Sequence, residues 1–432
     1  MMVRVLRSML LFVLLAGTGA QAQWDTLFLP FRALTIEDGL SQGMVSSIIQ
    51  DRAGFMWFAT KDGLNRYDGY SFRVFRRDPA DSTTVRDNYI QAIYEDRAGL
   101  LWVGTNSGLD VFDPTTEVFH HIPCDDRTEG QAAGMSDPRQ RNDGTQCETM
   151  AIAEDPSGHL WVSSGNGLYR IDPDPPASSQ VANGTSPAGP STPAYWTGRR
   201  VELVGYCPGV KMHWMTVDGS GILRGAWSLN GGDRNVRTFT LDTHDEARIA
   251  GMIADPQLLP WRPIIAGQRE EDWAAYVTDT TRHRTYNFSG ALLEVYDEVN
   301  KVRSTTALTA SRWMNVIRAT TDAHGALWAT DHRLWRCDPR TGRVSRLIPS
   351  ATELRNEALK VVCLYRDRSG VLWMGTNGFG VMLNDPQGER FHKQRLHSMR
   401  GMAPLRDSRI FAFTWSQWVY LFKEPDLAQF PI

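Results

Sequence analysis

The sequence predicts an all-β fold: a β-propeller of four-stranded antiparallel blades, seven by the simplest count, with eight as the alternative. Two observations in the chain predict it, a ten-residue Asp/Gly/Trp frame that recurs and a set of short apolar alternations grouped around each copy. Composition agrees. The 15 Trp and 37 Gly suit strands joined by tight turns, where aromatics cover pleated faces and glycines take positive φ.

The frame is clearest at Asp51, Gly54, Trp57 and Thr60, and it returns 45 residues later at Asp96, Gly99, Trp102 and Thr105. A third copy is Asp155, Gly158 and Trp161, a fourth is Asp322, Gly325 and Trp328, and a fifth is Asp367, Gly370 and Trp373. Asp and Gly close a first hairpin, the Gly supplying a left-handed position that a Cβ would strain. The Trp covers the second strand and wedges between neighbouring sheets, where burial of about 150–250 Å² makes it a packing residue. The fifteen Asp, Gly and Trp positions are therefore read as structural markers of the repeat. After the Thr or Ser comes a turn, then Gly-Leu and an alternation ending in Asp, as in Gly63 to Asp68, Gly108 to Asp113 and Gly167 to Asp172. A strand ahead (Val45 to Gln50, Ile90 to Glu95) and one behind (Phe72 to Phe75, Phe119 to Ile122) complete four per unit.

The 167 residues from Gly158 to Gly325 hold three to four periods. They contain a degenerate copy at Asp218-Gly219-Ser220-Gly221 with a displaced Trp227, and another around Trp273. Repeats are therefore expected near 44–75, 89–122, 148–172, 210–235, 265–295, 315–346 and 359–392, within a propeller over 23–395. Phe31 to Thr35 precedes the first frame and is expected to pair with the last blade, closing the ring and removing exposed edges. Polar residues 125–146 and the Pro/Ser/Ala/Gly-rich 172–193 read as insertions. Residues 396–432 start like a further blade without its frame, and read as an incomplete blade or an aberrant tail.

Arg4 and Arg7, an apolar run from Met9 to Ala16 and Ala20-Gln21-Ala22 form a secretory signal pattern over 1–22. Export to the periplasm or beyond follows, with no membrane span after cleavage. The net charge of −3 leaves no excess basic surface for a phosphate backbone, so nucleic acid is not the expected partner. The five cysteines, Cys124, Cys147, Cys207, Cys337 and Cys363, have neither a zinc spacing nor a disulfide framework. A Cys124–Cys147 bridge and buried free thiols remain equal alternatives.

From Leu34 to Tyr70, the run Leu-Thr-Ile-Glu-Asp-Gly-Leu-Ser-Gln, the first Asp/Gly/Trp/Thr frame and Gly63-Leu64-Asn65-Arg66-Tyr67-Asp68-Gly69-Tyr70 together resemble the two-component regulator propeller family. The second, third, sixth and seventh units share the resemblance, and residues 195–310 share it poorly. It implies the periplasmic sensing region of a hybrid histidine kinase, which recognises an extracellular small molecule or oligosaccharide. The chain has no kinase signature, so the resemblance implies a kinase-bearing partner or a missing C-terminal region.

Searching for chemistry gives no zinc-protease, nucleophile-elbow, Cys-x-x-Cys or phosphate-loop motif, and no cofactor, metal site or catalytic residue is expected. The enzymatic alternative is a sialidase-like or other glycan-cleaving propeller, for which Phe31-Arg32-Ala33 is a faint counterpart of the early Arg motif; a protein-binding scaffold is a third reading. If a ligand binds, the loops before each inner strand and between the second and third strands share one face. They carry Gln42, Lys61, Asp62, Asn88, Asn106, Asn166, Asp331 and Asn377, groups suited to hydroxyls, although Asn or Asp before Gly also serves hairpin turns.

Overall fold

The computed structural model describes residues 25–29, 31–122, 148–165, 167–172, 201–206, 210–229, 237–254, 275–279, 282–289, 292–309, 318–322, 324–330, 333–349, 360–385, 399–404, 409–414, 419–423 and 430–431. The signal pattern, Cys124, Cys147, Cys207, Asn166, Asp331 and Trp273 lie outside them.

Residues up to Asn384 form one compact unit of seven sheets. In chain order, β1 (Asp25–Leu29) and β2 (Arg32–Leu34) precede blade 1, which is β3 (Val45–Gln50), β4 (Met56–Thr60), β5 (Gly63–Tyr67) and β6 (Phe72–Phe75). Blade 2 is β7 (Ile90–Glu95), β8 (Leu101–Thr105), β9 (Gly108–Asp113) and β10 (Val118–His121). Blade 3 is β11 (Thr149–Glu154), β12 (Leu160–Ser164), β13 (Gly167–Ile171) and β14 (Val201–Tyr206). Blade 4 has β15 (Val210–Val217), β16 (Ile222–Leu229) and β17 (Arg237–Asp242), followed by helix α1 (Glu246–Ala254). Blade 5 is β18 (Ala275–Asp279), β19 (Arg284–Ser289), β20 (Leu292–Asp297) and β21 (Val302–Ala307). Blade 6 is β22 (Arg318–Thr321), β23 (Leu327–Thr330), β24 (Leu334–Cys337) and β25 (Val344–Pro349). Blade 7 is β26 (Val361–Arg366), β27 (Leu372–Thr376) and β28 (Val381–Asn384).

The protein is a seven-bladed propeller. Ring closure follows the sequence expectation: β2 pairs antiparallel with β28, so the chain's first segment supplies the fourth strand of the last blade. β1 adds something the sequence did not announce, a parallel fifth strand on the outer edge of blade 6 through pairing with β25. The helix after blade 4 was also unannounced. Ile249, Met252 and Ile253 recur at helical spacing and join the apolar cluster that blades 3 and 4 share.

Each frame builds one hairpin in the same way. Asp51 Oδ1 accepts the N–H of Phe55 at 2.9 Å, and the equivalent bond reaches Leu100, His159, Ala326 and Val371 in their blades. The intervening glycines, Gly54, Gly99, Gly158, Gly325 and Gly370, sit at φ 84° to 101°, where a side chain would be strained. The repeat tryptophans Trp57, Trp102, Trp161, Trp328 and Trp373 are all buried. Each lies in the apolar cluster toward the next blade: Trp57 meets blade 2, Trp102 blade 3, Trp161 blade 4, Trp328 blade 7 and Trp373 blade 1. Of the cysteines, Cys337 and Cys363 are buried free thiols.

Close approach of the inner strands fixes another residue type, the one before the frame's Thr. At Gly104 a Cβ would stand 2.7 Å from Thr149 of blade 3, and at Gly375 it would stand 2.7 Å from the Val45 carbonyl of blade 1. Ala59, Ser163 and Ala329 occupy that place elsewhere, all small. The inner strands of blades 1, 2, 3, 4 and 7 each carry a register shift near their start. The extra residues include Ser46, Gln91 and Met150, which line an axial cavity of about 220 Å³ together with Arg318 and Cys363.

Residues 399–431, read above as an incomplete blade or aberrant tail, lie in a second unit. It is a four-stranded antiparallel meander of β29 (Met399–Pro404), β30 (Arg409–Thr414), β31 (Val419–Lys423) and β32 (Phe430–Pro431). The aromatic stretch at 410–422 supplies two of its strands.

Candidate functional site

Short backbone bonds join the loops expected on one face. Gly63 N–H donates to Asn88 O at 2.7 Å, Asn106 N–H to Tyr89 O at 2.9 Å, and Asn377 N–H to Lys360 O at 2.9 Å. Asn377 also bridges Met44, and Gly378 and Gly380 donate to Gly43 O, so the blade 7 turn meets the Gln42 loop of blade 1. Most of the expected polar side chains are engaged locally. Gln42 Oε1 accepts Met44 N–H, Asp62 Oδ2 accepts Arg76 Nη2–H at 2.9 Å, and Asn88 Oδ1 accepts Arg77 N–H at 2.7 Å. Lys61 places its ammonium 5.1 Å from the Tyr89 ring centroid. Among the described members of this set, Lys61 and Asn377 are the exposed ones.

Beneath this face the third strand pins the lead-in loop. Asn65 Oδ1 accepts Ser41 N–H at 2.9 Å and its amide donates to Ser41 Oγ at 2.8 Å. Blade 2 uses a buried carboxylate for the same purpose: Asp110 accepts Arg86 N–H at 2.7 Å and Arg86 Nε–H at 3.2 Å, with His121 Nδ1 2.7 Å away. Both pairs are 24 residues apart, so the polar third-strand residue belongs to the repeat's scaffold.

On the opposite face, arginines that follow the frame Asp clasp consecutive blades. Arg368 of blade 7 donates its N–H to Gln50 Oε1 at 2.9 Å and its guanidinium to Asp51 O. Arg52 of blade 1 donates its N–H to Glu95 Oε1 at 2.9 Å and Nη2–H to Asp96 O at 2.7 Å. Arg97 of blade 2 lies 3.3 Å from Glu154 and donates Nη2–H to Asp155 O at 2.7 Å. The rule is a Glu or Gln before the Asp and an Arg after it, each serving opposite neighbours. It stops at Pro156 in blade 3. Burial, offset in part by Arg52 and Arg97, pushes the Glu95 and Glu154 carboxyls above their ordinary range.

The seams between blades differ in one place. Described apolar clusters join blades 7 and 1, 1 and 2, 2 and 3, 3 and 4, 5 and 6, and 6 and 7. Among the described residues, none joins blades 4 and 5. In blade 5, Tyr286, Phe288 and Leu293 turn to blade 6, while Thr285, Asn287, Glu294, Tyr296 and Arg303 line a cleft with Asp218, Ser220 and Arg224 of blade 4. The cleft has a volume of about 840 Å³. Blade 4 likewise buries Leu223, Phe239 and Leu241 toward blade 3.

One residue explains the change of character. Six positions after Asp218, where the other frames have Trp, stands Arg224, and its guanidinium takes the carboxylate oxygen that the indole N–H of Trp161 takes in blade 3. The displaced Trp227 is therefore not the frame residue: β16 pairs it with Met212, at the strand's other end. Burial alone would raise the Asp218 carboxyl, but hydrogen bonds from Arg224, Ser220 and the Ile222 N–H together hold it below its ordinary value. Sequence reasoning missed these cleft residues, although the alternation Arg284-Thr285-Tyr286-Asn287-Phe288-Ser289 already marks a strand with one wet face.

The two component regulator propeller family matches residues 39–62, 84–107 and 358–378, which are the lead-in, inner and second strands of blades 1, 2 and 7. These are two component regulator propeller repeats. A 55-residue stretch of the chain is 47% identical to Histidine kinase P4 of Formosa agariphila, spanning 13% of this chain and 4% of the kinase. The fold is similar to that of the extracellular domain of the putative hybrid two component system BT3049 from B. thetaiotaomicron, with a TM-score of 0.52 and 16% identity. The alignment covers 94% of this chain and 49% of that one, so the chain spans about half the length of that solved domain. The extracellular domain of the putative hybrid two component system BT4673 from the same organism aligns at a TM-score of 0.49 and 14% identity, covering 94% of this chain and 47% of that one.

Proposed function

We propose that this chain is the ligand-recognising propeller of an extracytoplasmic sensor that works through a histidine kinase, and that its ligand is a glycan or a similarly hydroxylated small molecule. The observation that carries the reading is the match of three repeats to the two component regulator propeller, reinforced by a 47% identical stretch in a histidine kinase. The signal pattern over 1–22 supports export, and no described helix is long and apolar enough to cross a membrane. The recurring acids support recognition over catalysis. Asp51, Asp96, Asp155, Asp322 and Asp367 each hold their own hairpin and accept the indole N–H of their own Trp57, Trp102, Trp161, Trp328 or Trp373.

A glycan panel tests this by thermal unfolding of the purified chain. A specific ligand at 100 times its Kd stabilises the native state by about 2.7 kcal/mol. Stabilisation without turnover is the expected result. Release of new reducing ends would turn the reading to a glycan-cleaving enzyme, and silence across the panel together with co-purification of a protein would turn it to a scaffold.

A further inference from the structure

We infer that the cleft between blades 4 and 5 is a binding site for an acidic oligosaccharide, one carrying carboxylates of the uronate type. The inference rests on the sensor reading only in taking the ligand to be a carbohydrate; the place and the charge come from the cleft itself.

Six described seams are closed by apolar side chains, and this one presents polar rows instead. Strand register aligns Thr285, Tyr296 and Arg303 in one row across blade 5, and Asn287, Glu294 and Thr305 in the next. Both rows lie on the face turned away from the apolar cluster with blade 6. Amide, hydroxyl and carboxylate groups in two rows suit a chain of sugar hydroxyls, and the half-buried Tyr296 offers an amphipathic ring beside them. A cleft of about 840 Å³ is of ligand-binding size.

Charge assigns the sign of the ligand. The three carboxylates lining the cleft already accept hydrogen bonds within it: Asp218 from Arg224, Glu294 from Asn287 at 3.0 Å and Glu298 from Thr285 at 2.8 Å. Lys301 and Arg303 are exposed in the same cleft and form no ion pair with any described carboxylate. All three carboxylates are buried or half-buried, so of the carboxylate, Lys and Arg charges lining the cleft the exposed ones are positive, and a planar guanidinium is matched by a carboxylate.

Isothermal titration of the full chain with trigalacturonate, trimannuronate and triguluronate tests the assignment, with galactotriose as the carboxyl-free control. At least one uronate binds, galactotriose binds at least tenfold more weakly, and Arg303→Ala weakens the uronate at least tenfold. Lys61→Ala and Asn377→Ala, on the opposite face, change it less than twofold. Arg303 is exposed, and an unchanged melting temperature of unliganded Arg303→Ala confirms its fold. Uronate affinity that survives Arg303→Ala combined with Lys301→Ala, or that falls with the opposite-face variants, overturns the inference. Binding of galactotriose alone overturns it too and leaves the sensor reading standing, whereas binding by none of the four overturns it and leaves the sensor reading to the wider glycan panel.

Discussion

The indole N–H of Trp57 donates to Asp51 Oδ2 at 2.6 Å, and both residues are buried. One carboxylate thus closes a hairpin with its first oxygen and satisfies the wedge residue with its second, which makes Asp and Trp a single device. Trp57→Phe keeps most of the apolar contact but leaves that oxygen unpaired in the core. A loss of about 1–3 kcal/mol is expected in urea unfolding, beyond the volume effect. Asp51→Asn turns its amide NH2 against one of two donors, the Phe55 N–H or the Trp57 indole N–H, and is expected to cost at least as much. A smaller cost for Asp51→Asn than for Trp57→Phe would mean that the volume of the indole, and not its bond to the carboxylate, carries the energy.

In blade 4 the same carboxylate position holds Arg224. Arg224→Ala leaves the buried Asp218 without its charged partner, an expected loss of about 2 kcal/mol at neutral pH. Because the folded Asp218 carboxyl lies below 3.8, its stabilising contribution is present above that pH and is lost on acidification. Wild type and Arg224→Ala should therefore converge as unfolding is measured from about pH 6.5 down to about pH 3. A difference that does not shrink would assign the loss to packing.

The scaffold was legible in the sequence because every blade of the clear set repeats it. Asp51, Gly54 and Trp57 recur at fixed spacing as far as Asp367, Gly370 and Trp373, and backbone strain and indole burial explain each one. Ring closure and the simpler of two blade counts, seven, follow from that repeat. The candidate site was less legible because it arises where the repeat fails. Arg224 replaces a Trp, and blade 5 keeps apolar residues on one face only. What the residues do there depends on which blade stands opposite, a long-range fact. The polar loop residues show the converse: Asp62 and Asn88 look available in the sequence, but Arg76 and the Arg77 N–H occupy them.

Glu154 supplies a pH test of the arginine clasps. Burial raises its carboxyl above the ordinary 4.5 despite the Arg97 charge. A raised carboxyl favours the protonated folded state, so its contribution is fully present below about pH 4.5 and is lost as pH climbs through the raised value. Glu154→Gln keeps an acceptor for Arg97 and removes that loss. The variant and wild type should melt together near about pH 4, with the variant higher at about pH 8. A less stable variant at the higher pH would mean that the ionised pair with Arg97 outweighs its desolvation.

Gly375 tests how closely the blades approach at the axis. A Cβ there would stand 2.7 Å from the Val45 carbonyl and close against Cys363 Sγ, whose thiol burial pushes up to about 12. Backbone on one side and a buried sulfur on the other leave no flexible atom to yield. Gly375→Ala is therefore expected to destabilise by about 1–3 kcal/mol through overpacking, even though Ala is the natural residue at the matching Ala59 and Ala329. Pairing it with Cys363→Ala removes one of the two obstructing groups, so the double variant should recover part of the loss in a double-mutant cycle. Strict additivity of the two would show that the Val45 carbonyl alone sets the limit on side-chain size at this seam.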